Sequence, residues 1–260
     1  MKIVYLDDNF KYDSCGQVIA LGFFDGFHKA HTEVLRKTIE VAKENNLKST
    51  LLTFTQSIYS FIKNEKFKYL TSLDDKINYA KKMGFDEVVF IEPNDKLINL
   101  SKDEFYDSYL KDAEYLVSGF DYSFGKNREG DISYLKEKKT DKIIVLDEMA
   151  YNNKKIGSFE IKEALSLGDL KTANGMLGRD YSIKGILYKR NTKLAMSSQD
   201  YYLPKSGEYK IKIEKENSSL ILIAKVKQLE DKSGIIIKPL DDTKIEFEKR
   251  KTYTLSFLSE

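Results

Sequence analysis

The chain of 260 residues has a single cysteine, Cys15, and only two histidines, His28 and His31. One thiol excludes an internal disulfide and any thiolate metal cluster, so no protein-held metal is expected and a reducing, cytoplasmic setting is the simplest reading. An excess of charge of one sign is also missing. The 43 basic residues face 41 acidic ones, leaving a net charge of +2. That balance gives no case for a nucleic-acid-binding protein and makes any phosphate site a local feature. No stretch approaches the roughly 18 uninterrupted apolar residues of a membrane-crossing helix. The N-terminal MKIVYLDDNF carries acidic residues where a signal peptide needs an apolar run. Only five of the basic residues are arginine, so a bidentate phosphate clamp has few candidates.

What is present is 41% hydrophobic and 32% charged residues, enough for a sizeable core under a wet surface. The length fits one large domain, or one of about 180 residues with a small companion. From residue 18 to about 147, apolar runs alternate with segments of helical period. VIALGFF (18–24), STLLTF (49–54), EVVFI (87–91), YLVSG (115–119) and KIIVLD (142–147) read as five buried strands. Between them lie a helical stripe over 32–44, a helix over 71–84 stopped by Gly84, and a helix over 101–112. In the last, Ser101 and Glu104 have capping-box spacing. The alternation predicts an α/β domain, Rossmann-like, with a parallel five-stranded sheet and helices on both faces. Residues 158–178 read as two short helices broken at Gly168 and Gly178.

Past about residue 182 the texture changes. YKIKIEKE (209–216), SLILIAKVKQ (219–228), GIIIK (234–238), TKIEFEK (243–249) and TYTLSFL (252–258) are short, often alternating and bounded by turn residues. They predict a small antiparallel β-barrel-like module. The expected division is therefore 1–182 and 183–260.

Both histidines fall in GFFDGFHKAH (22–31), at the end of the first strand and the start of the first helix. Ligands of such sheets sit beyond the C-terminal strand ends. Gly22, Asp25 and Gly26 let backbone approach a ligand, and the helix start turns free N–H groups toward it. Two imidazoles three residues apart share one helix face and can donate to phosphate oxygens. The plainer alternative is a pair of surface histidines on an ordinary turn.

These residues resemble the nucleotidyltransferases with an H-x-G-H signature. More closely, the chain resembles the bacterial bifunctional riboflavin kinase/FAD synthetase family. Gly22, Phe24, Asp25, Gly26, His28 and His31 match its first motif, G-x-F-D-G-x-H-x-G-H, with Ala30 in place of the glycine. YLTSLDDKINYAKKMGFDEVVFI is similar to its L-T-x-x-x-x-K helix and following strand. LVSGFDYSFGKNREGD (116–131) resembles its flavin-side loop, and residues 156–185 follow its helix-pair motif.

The resemblance implies transfer of AMP from ATP to FMN, giving FAD and pyrophosphate, with Mg2+ bound through the ATP phosphates. It implies that His28 and His31 contact those phosphates, with Gly22, Phe24, Asp25, Gly26 and Ala30 forming the ATP-side turn. Ser158 and Lys162 would meet the triphosphate, Lys162 in a catalytic role. Gly119, Asp121, Phe124, Gly125 and Arg128 would form the flavin-side pocket. The implied partners are the small nucleotides ATP, FMN and FAD, with no nucleic acid and no membrane.

Four departures bear on activity. Ala30 replaces a glycine. The family's D-P-x-P after the second strand is absent. GSFEIK carries Phe159 and Lys162 where the family has threonine and arginine. Between Gly185 and LPKSGEY (203–209) no G-x-P-T-A-N motif of the kinase module occurs. The expectation is an FMN adenylyltransferase without riboflavin kinase activity. Two alternatives stand beside it: a catalytically impaired flavin- or nucleotide-binding regulatory protein, and an adenylyl- or cytidylyltransferase acting on another phosphorylated acceptor.

Overall fold

The structure is a computed structural model that describes residues 1–6, 11–190, 193–197, 200–214, 218–229, 234–241 and 244–259. The chain packs as two compact units, Met1–Phe67 with Leu73–Met149, and Lys68–Ser72 with Ala150–Glu260. Among the described residues no helix is long and apolar enough to cross a membrane.

The first unit contains β1 (Lys2–Leu6), β2 (Gln17–Leu21), α1 (Lys29–Glu44), β3 (Lys48–Phe54), α2 (Ile58–Lys63), α3 (Leu73–Met83), β4 (Glu87–Ile91), α4 (Asp95–Asn99) and α5 (Lys102–Tyr109). It continues with β5 (Tyr115–Gly119), β6 (Ser123–Phe124), β7 (Gly130–Asp131), α6 (Ile132–Lys138) and β8 (Ile143–Leu146). The main sheet is parallel, in the order β1-β4-β3-β2-β5-β8. It has six strands where the sequence predicts five. The added strand, β1, lies at the sheet edge with Ile3 42% and Tyr5 55% exposed, so it lacks the apolar run that marks the buried strands. The inner strands β2 and β4 are buried on both faces along their whole length. Val18 and Ala20 of β2 pack with Val34, Leu35 and Phe85 on one side. Ile19 and Leu21 pack with Phe105, Leu110 and Leu135 on the other. Each large side chain so buried stabilises the fold by about 2 kcal/mol before entropy is counted.

Strand order matters for function. The chain runs from β2 to β3 to β4 in one direction, then returns to place β5 on the opposite side of β2. The reversal makes the C-terminal ends of β2 and β5, where Leu21 pairs with Ser118, the switch point at which such sheets bind ligands.

The second unit holds β9 (Ala150–Tyr151), β10 (Lys154–Lys155), α7 (Ser158–Leu167), α8 (Leu170–Leu177), β11 (Tyr181–Arg190), β12 (Lys193–Ser197), β13 (Gly207–Glu214), β14 (Ser219–Gln228), β15 (Gly234–Pro239) and β16 (Thr252–Phe257). The strands β11-β12-β15-β14-β13-β16 close into an antiparallel barrel. The inner side chains alternate along each strand, as with Leu222, Ala224 and Val226 of β14, and leave Ile221 and Ile223 outside. Of the expected strand over 243–249, residue 243 lies outside the described residues and 244–248 are not a strand, their charges alternating without a buried face. The last two residues of the expected strand over 209–216 also lie outside the described residues. Gly168 and Gly178 end α7 and α8 in left-handed conformations, φ 83° and 72°.

Asn174 ties α8 to the barrel. Its amide donates to the Phe257 carbonyl at 2.9 Å and to Asp180 at 3.1 Å, and its oxygen accepts from the Tyr181 N–H at 2.8 Å. Asn174→Ala leaves a buried N–H and a buried C=O unpaired, and a loss of about 2 kcal/mol is expected in urea unfolding. Unchanged unfolding would show that these bonds do not hold α8 to the barrel.

Candidate active site

The turn between β2 and α1 is strained and locked. Phe24 and Phe27 adopt left-handed backbone angles, φ 54° and 41°, on either side of Gly26 at φ 94°. Each such non-glycine residue costs on the order of 1–3 kcal/mol and persists only where packing over-determines it. Here both rings are buried and lie parallel, 6.2 Å apart. Phe27 also stacks on Tyr79 at 4.3 Å, and Phe24 meets the edge of His31 at 5.1 Å. Gly22 is required below them, because a Cβ there would sit 2.9 Å from the tip of the Phe24 ring.

The two histidines form one stacked pair. Their ring centroids are 3.6 Å apart and their planes 18° from parallel. His28 is the N-cap of α1, and its Nδ1 accepts from the His31 N–H at 3.3 Å. A neutral imidazole that accepts at Nδ1 carries its proton on Nε2. The Nδ1 of His31 is enclosed and has no hydrogen-bond partner. Burial, with smaller contributions from His28 and Lys76, holds the His31 pKa well below the ordinary 6.5, so its ring is neutral at pH 7. Asp25 is buried at 2% exposure in the same turn. Ala30 is the second residue of α1.

One strand away, after β5, lies the loop 119–131. Gly125, at φ 74°, passes so close to the start of α5 that a Cβ would sit 2.9 Å from the Lys102 nitrogen. Lys126 N–H donates to the Leu100 carbonyl at 2.7 Å, and Lys102 N–H donates to Glu129 at 2.8 Å. Phe124 is buried in the core among Phe105, Tyr122 and Tyr134, so it fixes the loop from beneath. Asp121 and Arg128 are exposed, and Arg128 donates to the Ser123 hydroxyl at 2.7 Å from a left-handed backbone, φ 62°. Gly119 ends β5. The fold thus brings the expected ATP-side turn and the expected flavin-side loop to neighbouring strands at the switch point. Ser118, between them on β5, buries a hydroxyl with no partner.

Ser158 and Lys162 belong to the second unit. Gly157 is the N-cap of α7, and Ser158 is its first residue. Lys162 is half-buried, its Nζ 5.9 Å from the Tyr202 ring centroid.

A model of the family described as FAD synthetase matches residues 11–160. The bifunctional riboflavin kinase/FMN adenylyltransferase of Listeria monocytogenes is 32% identical over 230 residues, 82% of this chain and 73% of the relative. The chain belongs to the FAD synthetase family. A Listeria monocytogenes protein named FAD synthetase is 25% identical over 203 residues, covering 76% of this chain and 81% of its own. A crystal structure titled macrolide-efflux protein, from Streptococcus pneumoniae, superposes with a TM-score of 0.84 over 99% of this chain and 90% of that one, at 22% identity. That likeness is one of fold.

The lysine of the segment similar to the L-T-x-x-x-x-K helix is Lys76, and its side chain reaches the same turn. Lys76 lies on the buried face of α3, with Ala80 one turn on, and is 2% exposed. A fully buried lysine on the apolar stripe of a helix is unusual.

Proposed function

We propose that this chain is an FMN adenylyltransferase that makes FAD and pyrophosphate from ATP and FMN. The observation that carries the reading is the stacked His28–His31 pair on a locked turn at the switch point, beside the loop after β5, in a member of the FAD synthetase family. An oxygen of the FMN phosphate bonds to the α-phosphorus of ATP. The bond from that phosphorus to the α–β bridging oxygen breaks, and pyrophosphate leaves with the electron pair. Such a transfer needs position and charge stabilisation rather than a protein nucleophile. Donation from the histidine pair to the phosphate oxygens, strengthening as the charge moves onto pyrophosphate, supplies the second. In this reading Ser158 and Lys162 also serve the triphosphate. Among the described residues no three His, Cys, Asp or Glu side chains gather into a metal-binding group. Magnesium enters this reading as part of the substrate, held by the ATP phosphates.

The barrel, in this reading, has no riboflavin kinase activity. The one T-A-N sequence near it, Thr172–Asn174, lies in α8, where Asn174 is occupied in holding Phe257, Asp180 and Tyr181. The test is incubation of the pure protein with ATP and Mg2+, with FMN or riboflavin in parallel, and chromatography of the flavins. FAD from FMN and no FMN from riboflavin is the expected result. Binding of FMN and ATP without turnover would replace this reading with that of a nucleotide-binding protein. FMN made from riboflavin would refute the statement about the barrel.

A further inference from the structure

A charged amine inside a protein core is costly unless something there uses it. The Nζ of Lys76 donates to the Phe23 carbonyl at 2.6 Å, and more loosely to the Phe54 carbonyl at 3.4 Å and the Thr53 hydroxyl at 3.5 Å. The Thr53 hydroxyl donates to the same Phe23 carbonyl at 3.0 Å. The Phe23 ring lies 4.0 Å from the ammonium. Lys76 therefore joins the C-terminal end of β3 to the residue directly before Phe24, where the left-handed turn begins.

We propose that Lys76 is a positioning residue for adenylyl transfer: its ammonium clamps the Phe23 carbonyl to the end of β3 and so holds the turn that presents His28 and His31 to the nucleotide triphosphate. The proposal rests on the functional reading above. A helix-to-strand tie needs no charge, since a methionine of similar volume would fill the space at lower desolvation cost. The charge has a use beside a polyphosphate, and it acts on the catalytic pair by disfavouring a proton on His31. The charged and titratable groups set against Lys76 are Asp25 from the turn and His31 from α1, while β3 offers the Thr53 hydroxyl and the Phe54 carbonyl. Burial brings the Lys76 pKa down to about 7 against the opposing attraction of Asp25.

The experiment compares wild type with Lys76→Met. In wild type, kcat/KM for ATP falls as pH rises through about 7, because the free protein loses the ammonium. In Lys76→Met that alkaline limb disappears, the KM for ATP rises about 10-fold, and the amides of residues 24–28 exchange faster with solvent. A purely structural lysine would move stability and leave the pH profile and the KM for ATP as they are; that outcome overturns the proposal. Should Lys76→Met fail to fold, the wild-type profile decides, and the absence of an alkaline limb near neutral pH overturns it equally. Wild type that makes no FAD defeats the functional reading. Lys76 is then judged by calorimetric ATP binding and amide exchange, and no difference between the two proteins in both measurements overturns the proposal.

Discussion

His28→Asn lowers the rate of FAD formation by roughly 10²–10³-fold while leaving the melting temperature unchanged. The two halves of this result separate the two things His28 does. Its Nδ1 caps α1, and asparagine is among the best residues at that position, so the helix start survives. In the proposed reading its Nε2–H is the donor to developing charge on the phosphates, and asparagine has no counterpart at the same reach. His28→Ala loses the same rate and, in addition, about 1 kcal/mol of stability with the cap. Initial rates with saturating FMN and ATP, beside thermal melts of the three proteins, check both statements. Should His28→Asn keep its rate within a few-fold of wild type, His28 is a cap and nothing more.

The second large effect is in the barrel. A Cβ on Gly185 would lie 1.6 Å from the Ser197 carbonyl oxygen and 2.8 Å from the Met196 side chain. A backbone oxygen cannot turn aside as a side-chain end can. β11 is bonded to β12 on one side and β16 on the other, so it cannot retreat without opening the barrel. Gly185→Ala is expected to cost about 3 kcal/mol or more in urea unfolding, the upper range for overpacking. Gly207→Ala is the control, since a Cβ there makes ordinary contact with the Tyr209 ring at 3.4 Å. Equal unfolding midpoints for the two variants would mean that β11 and β12 do not approach as closely as described.

Much of the fold could be read from the chain because it rests on local rules. β4 and β5 begin and end at the residues their apolar runs predict, and Ser101 and Glu104 form the capping box their spacing implies. β1 carries no such signal, because most of it faces solvent and an edge strand has no continuous apolar run. Residues 244–248 alternate like a strand and are not one, since alternation supplies a pattern without a pairing partner. The histidines could be found from their spacing. Their stacking, and the left-handed angles of Phe24 and Phe27, could not, because phenylalanine ordinarily avoids that region and only tertiary packing forces it. The L-T-x-x-x-x-K spacing marks Lys76 but not its burial, because a lysine in the core and a lysine in water are the same letter.

The histidine pair gives the molecule a spectroscopic property. Every imidazole in the chain sits in one face-to-face dimer with 3.6 Å between centroids. An ¹⁵N-labelled sample therefore shows histidine ring resonances from the candidate site and from nowhere else, each displaced by the ring current of the other. Nucleotide titrations and tautomer changes at that site can be followed without assigning the rest of the spectrum.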